Sequence, residues 1–149
     1  MRGQQLGVKS SQGRALADIL RQGVRGEPDV TAMASRDGNT ICALVWNYHD
    51  DDVAGPDTEV NLAIENLKGS EDKLKLRHYR VDAEHGNAFA AWKKMGSPTA
   101  PTAAQIKELE KSAALSVIES PAMELNGNSA TVHFKLPRQG VSLLVLEMN

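Results

Sequence analysis

The chain has 149 residues and a formal net charge of -2. This length fits one domain that buries a core without disulfides, and the charge gives no reason to expect general binding to nucleic acid or to acidic membranes. No stretch approaches the ~20 consecutive apolar residues that span a bilayer. Cys42 is the only cysteine, which excludes an intrachain disulfide, and its apolar neighbours favour a small buried hydrophobe over a reactive thiol.

The first half of the chain predicts mostly strands. Residues 5–10 form a weak edge-strand pattern, and residues 15–22 suggest a short helix. The turn sequence Arg36-Asp37-Gly38-Asn39 predicts a hairpin between strands 30–35 and 40–48. Because residues 41–46 are almost continuously apolar, we expect the strand at 40–48 to be covered on both faces.

Alternation with period two continues beyond that hairpin. Residues 59–66 place Val60, Leu62 and Ile64 on one face and leave the other face to solvent. Residues 73–81 alternate in the same way, with Leu74 and Leu76 directed inward.

The last third of the chain predicts another hairpin and a final strand. Asn126-Gly127 is a strong hairpin signal between strands 122–126 and 129–136. Residues 137–140 then turn the chain into an apolar strand at 141–146.

Helical signals fall mainly between these groups of strands. Asp82 is a predicted cap for a short helix that carries His85, Phe89 and Trp92, and Thr102 to Gln105 match a capping box that begins a second helix. Many short strands with turn signals favour an antiparallel β-sandwich. The sequence therefore predicts a mainly β fold, one domain spanning residues 1–149, with a helical insertion at about 82–113.

One polar cluster follows the strand at 40–48, in the sequence VWNYHDDDVAGPD. Its members are His49, Asp50, Asp51, Asp52 and Asp57, a cluster that offers oxygen ligands to calcium. The alternating acids and distal glutamate of a calcium loop are absent, so a solvated turn at the end of a strand is the favoured interpretation. No metal and no cofactor is predicted.

A second polar group, Asp82-Ala83-Glu84-His85, pairs carboxylates with an imidazole. Helix capping accounts for Asp82, and no nucleophile elbow accompanies His85. Phe89 and Trp92 are able to stack on a sugar ring, but at helical spacing such residues more often belong to a core. No catalytic residue is predicted from these patterns.

Three stretches are more informative together than any single motif: VWNYHDDD (45–52), HYRVDAEHGNAFAAWKKMGSP (78–98) and LPRQGVSLL (136–144). Together they resemble the C-terminal β-domain of glycoside hydrolase family 39, the β-xylosidases. The similarity extends through residues 24–38 and 101–115 in the order that the family uses, so it covers nearly the whole chain.

Two positions depart from the family pattern. Gly86 and Gly140 stand where the family often has serine, and we expect both to be simple small-for-small changes.

The resemblance implies a (β/α)8 barrel that precedes a sandwich and carries two catalytic glutamates. No position of this chain matches either glutamate, and Met1 to Gly7 begin where such a barrel would end, which suggests a truncated chain, a split gene or a degraded reading frame.

The resulting hypothesis is a non-catalytic accessory β-domain that braces a catalytic barrel and supports oligomer contacts. The candidate barrel-facing residues are His49, Asp50, His78, Tyr79, His85 and Trp92. An exposed barrel-facing surface would favour a homodimer or mixed oligomers of the isolated chain. An independent carbohydrate-binding module is the alternative, and hydrolysis of xylosides by this chain alone is the least favoured hypothesis. The sequence does not indicate the cellular compartment, although the N-terminus lacks the apolar core of a signal peptide.

Overall fold

A computed structural model describes residues 2–51, 53–67 and 74–148. The elements follow one another as β1 (Gln4–Leu6), α1 (Leu16–Gln22), β2 (Asp29–Asp37), β3 (Thr40–Tyr48), β4 (Thr58–Ile64), β5 (Leu74–Val81), α2 (Ala88–Lys94), α3 (Ala103–Ala113), β6 (Val117–Ile118), β7 (Ala122–Asn126), β8 (Ser129–Leu136) and β9 (Val141–Met148).

The strands form two antiparallel sheets. One sheet has the order β1-β2-β3-β9-β5-β6, and the other has the order β4-β8-β7. Apolar side chains from the facing surfaces of the two sheets form the core, including Val45 of β3, Val60 of β4, Val132 and Leu136 of β8, and Leu144 of β9. The predicted mainly β architecture is therefore confirmed.

The two predicted hairpins are present with nearly the predicted bounds. The β2–β3 hairpin turns at Gly38, whose φ is 57°, and the β7–β8 hairpin turns at Gly127, whose φ is 56°. Both values lie in the left-handed region, which glycine enters without steric cost. The turn chemistry thus fixes the register of both hairpins.

Strand β3 differs from its prediction on one face. Ile41, Ala43 and Val45 are buried against the other sheet, whereas the opposite face, which carries Cys42 and Leu44, is only partly buried. The expectation that both faces are covered is therefore wrong for these residues. Cys42 is correspondingly half-buried rather than fully buried.

Other strand predictions need smaller changes. Strand β1 spans Gln4–Leu6 and so overlaps the predicted edge segment, residues 5–10, only at residues 5 and 6. The short strand β6 was not predicted from the sequence. Strand β5 begins at Leu74, and the predicted start at Lys73 lies outside the described residues.

The helical insertion lies between β5 and β6. Helix α2 begins after Asn87, whose side chain accepts a hydrogen bond from the backbone N–H of Ala90, so the predicted cap at Asp82 is wrong. Helix α3 begins after its N-cap Thr102, which forms the full predicted capping box with Gln105. The two helices pack against each other. Within the described residues, no helix is long and apolar enough to cross a membrane.

Candidate functional site

The loop after β3 is more deeply buried than the sequence predicts. His49 is only 5% exposed, and burial together with the nearby charge of Arg138 lowers the pKa of its imidazole. Asp50 is exposed, but its Oδ2 accepts a hydrogen bond from the Val24 N–H at 2.6 Å, and its Oδ1 accepts one from the Tyr48 hydroxyl at 3.0 Å. The expectation of a solvated turn is therefore wrong for His49.

Side chains of the turn before β9 hold the same loop from the other side. The Asp51 carboxylate pairs with the Arg138 guanidinium, which holds the pKa of Asp51 below its usual range. Gln139 Nε2 donates hydrogen bonds of 2.7 Å to the carbonyl oxygens of both His49 and Asp51. These contacts tie two loops together at one end of the sandwich.

Asp50 and Asp51 of the acidic cluster therefore have structural partners. Among residues 2–51, 53–67 and 74–148, no group of three or more His, Cys, Asp or Glu side chains is placed to hold a metal ion. Asp52 of the predicted cluster lies outside the described residues. Asp57 is exposed just before β4.

Hydrogen-bonded polar side chains line the inner face of β5, near the end of the sandwich where the loop after β3 lies. His78 is 2% exposed, and its Nε2 lies 2.9 Å from Ser142 Oγ. Arg80 donates from Nε to the same hydroxyl at 3.3 Å and from a terminal nitrogen to the Lys135 carbonyl at 2.9 Å, which links the two sheets. The Phe134 ring lies 5.5 Å from the His78 ring. His78 thus contacts the interior of the sandwich.

Asp82 organises the turn that leads into the helical insertion. Its Oδ1 accepts hydrogen bonds from the backbone N–H groups of Glu84 and His85, both at 2.8 Å, and lies 2.9 Å from His85 Nδ1. Burial by itself raises the pKa of Asp82, but these hydrogen bonds outweigh it and the net pKa is lowered. Asp82 therefore caps a turn rather than a helix, and it fixes the position of His85.

The aromatic residues of α2 lie at the surface rather than in the core. Phe89 is 57% exposed, and its ring is stacked on that of Trp92 with 5.6 Å between centroids. Trp92 is half-buried and donates from Nε1 to the Pro98 carbonyl at 3.0 Å. The prediction that both belong to the core is wrong for Phe89.

The outer face of the six-stranded sheet carries a row of apolar side chains. Strand register places them side by side in the order Met33, Leu44, Leu143, Tyr79 and Val117, across five neighbouring strands. Met33 is 46% exposed and Val117 is 54% exposed, and the three between them are partly buried. We call this set the outer row. Sequence reasoning identified only Tyr79 from it, although the apolar runs at 41–46 and 141–146 carried the signal.

The six predicted barrel-facing residues therefore fall into four places. Tyr79 lies in the outer row, and His85 and Trp92 lie in the insertion with partly exposed side chains. His49 and Asp50 lie in the loop after β3, and His78 lies inside the sandwich. The structure does not bring all six together.

The two glycines that depart from the family pattern are not simple small-for-small changes. Gly86 has a φ of 59°, so any side chain there adopts a strained backbone conformation. A Cβ atom at Gly140 would lie 2.7 Å from the Pro137 carbonyl oxygen, closer than carbon and oxygen normally approach. A side chain at Gly86 would therefore cost backbone strain, and one at Gly140 would force the turn before β9 to shift.

Comparison with known proteins identifies a matching family and solved structures that share this fold. A sequence model of the glycosyl hydrolases family 39 matches residues 15–129. A monomeric β-xylosidase from Caulobacter crescentus CB15 superposes with a TM-score of 0.61 at 23% identity over 86% of this chain. A family 39 enzyme from Xanthomonas axonopodis pv. citri gives 0.57 at 16% identity over 87%. A bacterial orthologue of human α-L-iduronidase gives 0.58 at 16% identity over 82%.

These similarities cover only part of each relative. The chain spans 29% of the Caulobacter and Xanthomonas proteins and 22% of the iduronidase orthologue. At such identities the superposition shows a shared fold. The family match extends over well more than half of the sequence, and on that ground the chain belongs to the glycosyl hydrolases family 39.

Proposed function

We propose that this chain is a non-catalytic accessory β-sandwich that braces the catalytic barrel of a family 39 glycoside hydrolase. The outer row is the observation that carries the proposal. An antiparallel sheet with one face in the core normally exposes a polar outer face, whereas this sheet exposes a continuous apolar row. Contiguous apolar surface of this kind is typical of a protein-protein contact.

The size of the relatives supports the identity of that partner. The matched region amounts to 29% of the Caulobacter β-xylosidase, and the family resemblance implies a barrel in the remainder. Burial of the outer row against such a barrel would contribute about 25 cal/mol for each Å² of apolar surface removed from water. This gain is available only to a partner with an apolar surface of matching shape.

The helical insertion supplies a second contact in this proposal. Phe89 and Trp92 present a stacked aromatic pair on α2, and α2 packs against α3. His85 is held at the base of the insertion by Asp82. A partner that packs on the aromatic pair would bury surface that is exposed in the isolated chain.

Catalysis belongs to the barrel in this proposal. Retaining glycosidases of this kind use two carboxyl groups about 5–5.5 Å apart, one as acid/base and one as nucleophile. Neither family glutamate has a counterpart in this sequence. The 149-residue chain alone is therefore expected not to hydrolyse a chromogenic xyloside.

Reconstitution with a barrel tests the insertion as a contact surface. The barrel of a family 39 β-xylosidase, expressed without its own sandwich, is mixed with this chain, and melting temperature and xylosidase activity are measured. We expect the wild-type chain to raise both the melting temperature and the xylosidase activity of the barrel. Trp92→Ala and His85→Ala should each remove most of the increase, because they delete side chains at the proposed contact.

A matched variant distinguishes contact from general destabilisation. His133, in the three-stranded sheet, has the same side-chain exposure as His85, 37%. His133→Ala should leave both measurements at the wild-type level. Unchanged activity and melting behaviour for Trp92→Ala and His85→Ala would refute the contact through the insertion.

A further inference from the structure

We propose that a groove beside Trp46 and Tyr48 binds the ring of a neutral pyranose sugar. The groove lies where β2 begins, β3 ends and the turn before β9 passes over them. It has a volume of about 250 Å³, enough for one sugar ring rather than a long oligosaccharide. Its lining residues are Asp29, Trp46, Asn47, Tyr48, Gln139, Gly140 and Val141.

The two aromatic residues lie on the same face of β3. They are two positions apart in the strand, so both side chains project from the outer face. Tyr48 is 42% exposed and Trp46 is partly exposed. Neither ring belongs to the core between the sheets.

A carboxylate fixes the polar edge of each ring. Trp46 donates from Nε1 to Asp29 Oδ2 at 2.9 Å, and the Tyr48 hydroxyl donates to Asp50 Oδ1 at 3.0 Å. Asp29 itself is only 5% exposed, and its other carboxylate oxygen, Oδ1, accepts a hydrogen bond from the backbone N–H of Arg14 at 2.7 Å. The rings are therefore held in place before any ligand arrives, which reduces the entropy lost on binding.

This arrangement suits the chemistry of a sugar ring. The C–H bonds of a pyranose make its face apolar, and that face stacks on an aromatic ring, while the hydroxyls at its edge need polar partners. Gln139 supplies an amide at the groove, and its Nε2 is already held by the carbonyls of His49 and Asp51. The carboxylates of Asp29 and Asp50 favour a neutral sugar, because they would repel a uronic acid.

Two other grooves and one aromatic pair among the described residues lack this combination. Two of them lie beside residues 8–14, and neither is lined by an aromatic side chain. In the stacked Phe89–Trp92 pair on α2, Lys93 lies above the Phe89 ring, with Nζ 4.5 Å from the ring centroid. The groove at Trp46 therefore combines aromatic faces, fixed acceptors and an open cavity.

A titration of the 149-residue chain tests this site. Xylotriose is added while Trp fluorescence and backbone amide NMR shifts are recorded, with glucuronic acid as the anionic comparison. We expect saturable binding with a Kd of about 1 mM, with the largest shifts at residues 46–48 and 139–141, and no binding of glucuronic acid. Trp46→Ala and Tyr48→Ala should each weaken binding about tenfold or more, because each removes one stacking face.

Trp92→Ala is the matched control, because it removes the other tryptophan and leaves the groove intact. It should bind xylotriose as the wild type does. The proposal is overturned if the wild type shows no binding at 20-fold the expected Kd (about 20 mM), if Trp92→Ala loses binding while Trp46→Ala keeps it, or if Tyr48→Ala, at an exposed position, binds normally. The docking of a barrel does not depend on this site, so failure here leaves the proposed function to its own test.

Discussion

Replacing Asp82 with alanine is expected to lower the free energy of unfolding by about 3 kcal/mol. One buried carboxylate oxygen accepts two backbone N–H groups and contacts the imidazole of His85, and hydrogen bonds to a charged group are each worth about 1.5–3 kcal/mol. Alanine leaves the N–H groups of Glu84 and His85 without their acceptor. The turn between β5 and α2 should then lose its fixed geometry.

Urea denaturation followed by circular dichroism measures this effect. Asp18→Ala is the control, because Asp18 is exposed and pairs with Arg21 on the surface of α1, where a salt bridge contributes at most about 1 kcal/mol. Asp82→Asn keeps one acceptor oxygen and should fall between Asp82→Ala and the wild type. A loss below about 0.5 kcal/mol for Asp82→Ala would contradict the role of the turn.

Lowering the pH from 6.5 to 4 is expected to remove about 3 kcal/mol of stability through His78 alone. Burial lowers the pKa of His78 from 6.5 to about 4, with a further contribution from the charge of Arg80, while a hydrogen bond to the Glu119 backbone opposes the shift. In the unfolded chain the imidazole takes up a proton below pH 6.5, but in the folded chain it stays neutral until about pH 4. The stability is therefore fully present above pH 6.5 and is lost as the pH falls.

The variant His78→Gln isolates this contribution. Glutamine does not titrate, so the difference in unfolding free energy between wild type and variant should shrink steadily from pH 6.5 to pH 4. His49→Gln is a second comparison, because burial also lowers the pKa of His49. The stability that His49 contributes should likewise be lost as the pH falls. A constant difference between wild type and His78→Gln across this range would mean that His78 titrates normally in the folded chain.

The sheets could be predicted well from the sequence because their determinants are local. Alternation at 59–64 and at 74–81 follows from the pleat of a half-buried strand. The Asn126-Gly127 pair fixes the β7–β8 hairpin through the positive φ of Gly127. These signals depend only on residues that are close in sequence. They can therefore be recognised without knowledge of the rest of the fold.

Burial of single polar residues depends on distant partners, and it was predicted less well. His78 was a candidate for the barrel-facing surface, although it shares its strand face with the inward-directed Leu74 and Leu76. Its burial is stabilised by Ser142, which lies 64 residues away in the sequence. The cap at Asp82 failed for a related reason, since an aspartate that caps a turn and one that caps a helix have the same local sequence.

The outer row was missed because the sequence cannot tell which face of a doubly apolar strand packs in the core. Residues 41–46 suggested two covered faces, and only the register with β9 and β5 reveals that one face forms a continuous apolar row outside the core. The candidate docking surface is thus a property of the assembled sheet. The aromatic pair Trp46 and Tyr48 lies on that same face, at the end of β3.

The affinity of this chain for a family 39 barrel, measured by isothermal titration calorimetry with one substitution in the outer row, tests the central claim most directly. Met33→Asp introduces a charge into the row, and Leu125→Asp introduces the same charge at a residue of nearly equal exposure in the three-stranded sheet, 46% against 47%. We predict that Met33→Asp weakens binding about tenfold or more, since a charge would be buried without a partner, and that Leu125→Asp binds like the wild type. Equal affinities for the two variants, or no binding by the wild-type chain, would contradict docking through the outer row.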